Sequence, residues 1–222
     1  MRADFAEFFR TTLLILGALF PIVNPLGNAP VFLTLTREFS GPARTQLSRR
    51  IAVNGFVLLI VSILIGTHIL AFFGISLPVV QVAGGMVVLA TGWGSLTRRD
   101  DDGGFHETRT PPTAAALSQR AFYPLTLPLT VGPGSISVAI ALGANRPRGA
   151  QTDLPVLAAT LAGAALLAVA VYISYRFAES VARLLGETAM NIITRLSSFI
   201  LLCIGVQIAW NGVSALAREI TK

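Results

Sequence analysis

The stretch "GALFPIVNPLGNAPVF", residues 17–32, lies within a charge-free run from 11 to 36, yet holds three prolines, two asparagines and two glycines in sixteen residues. Proline removes an amide donor and collides with the preceding helical turn. A helix in lipid has no water to replace the lost bond, so irregular backbone survives only where protein covers it or a water-filled cavity reaches it. The stretch therefore predicts a membrane helix interrupted near its middle, at a place the rest of the protein shelters.

The rest of the chain agrees with a bilayer setting. Of 222 residues, 53% are hydrophobic and 13% charged, where a soluble domain carries about 25% charged. Five charge-free runs stand out, at 11–36, 51–97, 121–145, 154–175 and 196–217. Four have the length of one crossing of about 20 residues, and the second is long enough for two. Its turn is marked by "FFGISLP", residues 72–78. The expectation is an all-α integral membrane protein with six transmembrane helices in a single membrane domain, 1–222.

The formal charge is +6, but no basic stripe interleaved with aromatics argues for nucleic acid. With alternating helices, eleven of the 17 Lys and Arg residues fall on one face and six on the other. The positive-inside rule then places both termini outside the cytoplasm. Arg2 and Arg10 ahead of "TTLLILGALF" resemble a signal peptide, but no polar cleavage region follows, so this segment is read as a retained first helix. The one cysteine, Cys203, lies in an apolar run and forms no disulfide framework.

An internal copy organises the chain. A shift of 103 residues lays Pro21, Pro25 and Pro30 on Pro124, Pro128 and Pro133, and Phe20 on Tyr123. The third helices need a gap, with Gly92 on Gly205 and Gln81 on Thr194. The units are repeat one, 5–96, and repeat two, 121–217, joined by a polar linker, 97–120. Each repeat has three crossings, so the second enters the membrane from the opposite face. The fold expected is thus two inverted three-helix repeats with broken first and fourth helices, a pattern of secondary transporters whose substrates bind near the midplane.

At "FPIVNPLGNAPVFLTLT", residues 20–36, and "YPLTLPLTVGPGSISVAIALGA", residues 123–144, the sequence resembles the MarC family of bacterial and archaeal inner-membrane proteins. The resemblance covers essentially the whole chain. It implies a six-helix protein of the cytoplasmic membrane, in a wider group of amino-acid exporters, with transport of neutral amino acids such as glycine and alanine.

Candidate substrate-binding residues follow from the two breaks. In helix one they are Asn24, Pro25, Gly27 and Asn28. The 103-residue shift puts Leu127 and Val131 opposite the two asparagines, so these amides belong to one repeat only. Each could contact a zwitterion or simply cap a half-helix. In helix four the candidates are Thr126, Pro128, Thr130, Gly132, Gly134 and Ser135, whose hydroxyls could equally bond their own backbone. Unpaired donors at the start of each second half-helix, near Gly27 and Asn28 and near Gly132, Gly134 and Ser135, would attract a carboxylate.

His68 is the one titratable side chain at neutral pH inside an apolar run, but it lies close to a helix end, which weakens a proton-handling role. All eleven Asp and Glu residues fall outside the runs, so a midplane carboxylate relay is not expected. Trp93 and Trp210 suit the interfacial aromatic belt. No HExxH, GxSxG or Cys/His cluster suggests an enzyme, and no GxxxxGK loop suggests ATP-driven pumping. No cofactor or metal is called for. Partners expected are the bilayer and a small neutral amino acid, with no nucleic acid and with self-association left open. The competing reading is a channel or structural membrane partner without saturable transport.

Overall fold

The computed structural model describes residues 2–97, 114–145 and 154–220, and among these every regular element is a helix. Helices α1 (Arg2–Val23) and α2 (Pro25–Leu35) run on as one apolar span with a single non-helical residue between them. They are followed by α3 (Gly41–Phe72) and α4 (Leu77–Thr97). A short α5 (Ala114–Arg120) leads into a π-helical segment, Ala121–Thr130, and then α6 (Pro133–Ala144). The chain ends with α7 (Leu154–Arg176) and α8 (Ala178–Ile220). Five helices are long and apolar enough to cross a membrane, and the pair 117–130 and 133–144, bent by 69°, makes a sixth if it counts as one span.

That bent pair runs alongside α3 in the same direction. Ser118 bonds Arg50, Val131 packs on Gly55, and Ile140 packs on Gly66. From residue 50 to residue 66 of α3 is roughly 24 Å at 1.5 Å per residue, most of a hydrocarbon core of about 30 Å.

The helices extend beyond the charge-free runs. Helix α3 begins at Gly41, ten residues before the run that announced it, and α8 begins at Ala178, with Gly186 at φ 75° marking a bend. A charge-free run records the part of a helix in hydrocarbon, whereas arginines such as Arg44 and Arg49 continue it into the headgroup region. The expected linker, 97–120, contains α5, and its residues 98–113 lie outside the described residues, with Arg98, Arg99, Arg109 and Asp100 to Asp102 among them. Arg146, Arg148, Asp153, Lys222 and the side chain of Glu187 lie outside them too.

At one end of the bundle several arginines lie close together. Arg44 pairs with Glu179 at 2.8 Å, Arg120 with Glu38, and the Arg120 guanidinium sits 5.4 Å over the Phe39 ring. These contacts join the end of α2, the starts of α3 and α8, and α5 into one basic face.

Glycines set the closest helix crossing. A Cβ on Gly92 would meet Leu202 N and Ser198 O at 2.7 and 3.0 Å, while one on Gly205 would meet Leu89 N and Gly85 O, the latter at 2.9 Å. One on Gly212 would meet Pro78 O at 2.6 Å. As positions on α4 rise from 78 to 92, their partners on α8 fall from 212 to 198, so the two helices are antiparallel in backbone contact. With lipid as apolar as the side chains, such packing is what holds membrane helices together. Replacing Gly85 or Gly205 with Leu is therefore expected to destabilise the protein by roughly 1–3 kcal/mol, as overpacking does. Melting in detergent micelles checks this against Gly94→Leu, which has nothing within 4 Å of its Cβ and leaves the midpoint unchanged.

Candidate functional site

Asn24 and its equivalent under the 103-residue shift, Leu127, are both non-helical, while the 69° bend of helix four lies further on, between Thr130 and Pro133. Asn24 stands in the left-handed region at φ 47° and ψ 58°, and Leu127 is extended at φ −107° and ψ 125°. Asparagine is among the few residues that adopt the left-handed region readily, which suits it to a one-residue break. Pro25 follows as the first residue of α2, where its missing N–H costs nothing.

An exchange of partners repairs the backbone around Asn24. In an unbroken helix the Gly27 N–H would bond Val23 O. Here Gly27 N donates to Asn24 Oδ1 at 3.1 Å, and Val23 O receives instead the Asn28 side-chain Nδ2 at 2.9 Å. The second Nδ2 hydrogen of Asn28 goes to Leu129 O in helix four at 3.0 Å. That carbonyl has no helical partner, because the residue four positions on is Pro133. One side-chain amide thus fills a vacancy in each broken helix and ties the two together. Gly27 is buried and has no room for a Cβ between the Asn24 side chain and Ser197 of α8.

The π segment has its own repair. Thr126 Oγ1 donates to Ala121 O at 2.6 Å and Thr130 Oγ1 to Leu125 O at 2.7 Å, each reaching back five residues. A hydroxyl has one hydrogen, so in the 2.9 Å contact between Thr130 Oγ1 and Tyr175 Oη the tyrosine is the donor. Both threonines are buried, and the Tyr175 ring stacks on Phe32 of α2 at 4.6 Å. Between Thr130, Val131, Val23, Gly55 and Val171 lies a cavity of about 10 Å³, room for no more than about one water. Gly55, the fifteenth of the 32 residues of α3, places it near the middle of that helix.

The structure thus links Asn24, Gly27 and Asn28 to one another and Asn28 to helix four, while Thr126 and Thr130 bond within the π segment and Thr130 also to Tyr175. Pro128 is exposed on the outer side of the segment, and Gly132 is half-buried. Gly134 and Ser135 are buried at the start of α6, where Gly134 packs on Val88 and Gly84 of α4, so its close approach serves helix packing. One expectation is corrected: the N–H groups of Gly27 and Asn28 are not vacant, since they bond Asn24 Oδ1 and Asn24 O. Helix four does begin its second half without a side-chain cap at Gly132. His68 is exposed on α3, away from both breaks, and no metal-binding cluster occurs among the described residues.

Sequence reasoning missed Tyr175, which ends a charge-free run and carries no motif. It also missed the tandem "YPLT" and "LPLT" of residues 123–130, in which each threonine makes the same five-residue bond. That signal was readable.

Long apolar helices with small residues at their crossings define a multi-pass integral membrane protein. Residues 7–217 match the family model described as MarC family integral membrane protein, and the chain belongs to that family. It is 30% identical over 217 residues to the inner membrane protein MarC of Escherichia coli O157:H7, covering 93% of this chain and 96% of the relative. An Archaeoglobus fulgidus membrane protein is 31% identical over 199 residues, covering 88% and 89%. The Bacillus subtilis membrane protein YvbG is 26% identical over 205 residues, covering 92% and 95%. No solved structure matches the chain.

Replacing Asn28 with Leu leaves Val23 O and Leu129 O without donors. Each vacant carbonyl is expected to cost about 1–3 kcal/mol, read as a lowered melting midpoint in micelles. Asn145→Leu, at the exposed C-terminal cap of α6, leaves the midpoint unchanged.

Proposed function

We propose that the protein is a secondary transporter of small neutral amino acids of the glycine and alanine class, working by alternating access around the two helix breaks. The observation that carries this reading is the Asn28 amide bonded to backbone carbonyls of both broken helices, level with the middle of α3. Discontinuous helices meeting inside a membrane bundle are the arrangement from which transporters build substrate sites.

Inverted repeats are supported by the α4 and α8 crossing. The register that places Gly92 on Gly205 is a shift of 113, since 205 minus 92 is 113, and it carries Gly85 to Ser198 and Leu89 to Leu202. The contacts of Gly92 with Ser198 O and Leu202 N thereby exchange with those of Gly205 with Gly85 O and Leu89 N. A two-fold axis in the membrane plane produces such an exchange.

The bonds around the breaks use Asn28 Nδ2 and Asn24 Oδ1, so Asn28 Oδ1 remains as an acceptor for an ammonium group and Asn24 Nδ2 as a donor for a carboxylate. The uncapped start of α6 offers further donors. The site has no formal charge, which suits a neutral zwitterion and opposes lysine or glutamate. With the E. coli relative named an inner membrane protein, we place this chain in the cytoplasmic membrane too, basic face inward.

Counterflow into proteoliposomes across a panel of amino acids tests the reading. Saturable exchange of small neutral amino acids is expected, and Asn28→Leu should weaken apparent affinity about 5- to 150-fold, the equivalent of roughly 1–3 kcal/mol. Linear, unsaturable flux would identify a channel instead, and no flux of any neutral amino acid would end the proposal. Orientation has its own test: a cytoplasm-active reporter fused after Lys222 should be silent and a periplasm-active one bright.

A further inference from the structure

The basic face carries a recess of about 250 Å³ lined by Arg44, Thr45, Tyr175, Arg176, Glu179 and Ser180, among others. The inner cavity beside the helix breaks shares no lining residue with it. On α7 the residue between them is Tyr175. Tyr175 lines the recess, while Val171, one turn earlier on α7, lines the inner cavity, about 6 Å away along the helix. Tyr175 is 2% exposed, its ring lies on Phe32, and its hydroxyl donates to Thr130, which itself lines the inner cavity.

We propose that this recess is the mouth through which a small zwitterion reaches the helix breaks, and that Tyr175 is the side chain that closes it. The recess presents both signs of charge, the Arg44 and Glu179 pair at 2.8 Å and the Arg176 guanidinium, so it receives a molecule carrying a carboxylate and an ammonium without favouring a net charge. It also has room for the tyrosine ring to swing into. The latch is Thr130, part of the π segment, so any rearrangement of that segment that shifts Thr130 releases Tyr175. Occupancy of the break and opening of the mouth are thereby mechanically joined. The identity of the passing molecule rests on the transport reading, whereas the closure itself does not.

Cysteine accessibility measures the closure without any substrate. In full-length protein with Cys203 replaced by Ala, Val131→Cys places the one thiol on the inner cavity, where residue 131 is 1% exposed. A membrane-impermeant charged maleimide is applied separately to each face of sealed vesicles, with Ser40→Cys on the basic face as the reference thiol. Val131→Cys should be protected while Tyr175 is intact. Adding Tyr175→Ala should raise its labelling rate at least tenfold from the basic face only, with Ser40→Cys unchanged. Adding Tyr175→Phe, which keeps the ring on Phe32 and removes only the latch, should raise it by a smaller factor. Fast labelling with Tyr175 intact overturns the proposal, and so does a rate unchanged by both substitutions or raised equally from both faces. Counterflow failing while the labelling pattern holds would reject the amino-acid cargo and keep the gate.

Discussion

Everything in this bundle answers to one constraint: a backbone carbonyl or amide in hydrocarbon has to find its partner within the protein. Six prolines in two matched triplets remove six donors from helices one and four. The vacancy at Leu129 O can be followed to its solution, because Pro133 should have supplied its donor and Asn28 Nδ2 does so from the other helix. The same nitrogen serves Val23 O, whose ordinary partner Gly27 N has been taken by Asn24. Two asparagines of helix one thereby supply the missing partners in both broken helices, and the Asn28 bonds hold those helices against each other.

Stability and the proposed function converge on the same side chains. A bond that satisfies an orphaned carbonyl need not end as a ligand contact, and for Asn28 Nδ2 it does not: both its hydrogens are committed to backbone. The polar groups left over, Asn28 Oδ1 and Asn24 Nδ2, are the ones a ligand could use. They stay in fixed orientation because the opposite ends of the same amides are anchored. Preorganisation of this kind lowers the ordering cost of binding, so the structural use of these asparagines supports their functional use. At Thr130 the two roles meet again, since its hydroxyl bonds Leu125 O within the broken helix and accepts from Tyr175 at the wall of the recess.

Much of this was legible in the sequence, and the parts that were not have physical causes. The proline triplets located both breaks, and the shift of 103 placed Asn24 opposite Leu127, each of which is non-helical. The turn at Gly74, with φ 66°, was marked by its own residues. Helix lengths were not readable from charge, because a helix does not end where lipid does, and so α3 and α8 begin in basic segments. The vacant donors expected at Gly27 and Asn28 failed because Asn24 takes both, the first on its side-chain oxygen and the second on its backbone carbonyl. Proline arithmetic counts backbone losses and cannot count which side chain folds back to fill them. Tyr175 was invisible because its role depends on a contact 45 residues away.

The two helices share a proline pattern yet bend differently, and the difference lies in what each offers to repair itself. Helix one has asparagines, whose amides can both donate and accept, and a residue type that tolerates the left-handed conformation. One residue absorbs its break, and the span continues to Leu35. Helix four has leucine and valine at the corresponding positions and only hydroxyls nearby. A hydroxyl on the same helix reaches back a few residues and no further, which winds the segment into five-residue bonding but does not bridge a gap. Its break therefore opens to 69° and depends on Asn28 from the other repeat. A shared proline pattern has become one continuous span that carries the partners and one bent pair that needs them. Were the halves of the bundle to move relative to each other, as the proposed transport requires, the bent member is the one whose geometry would change.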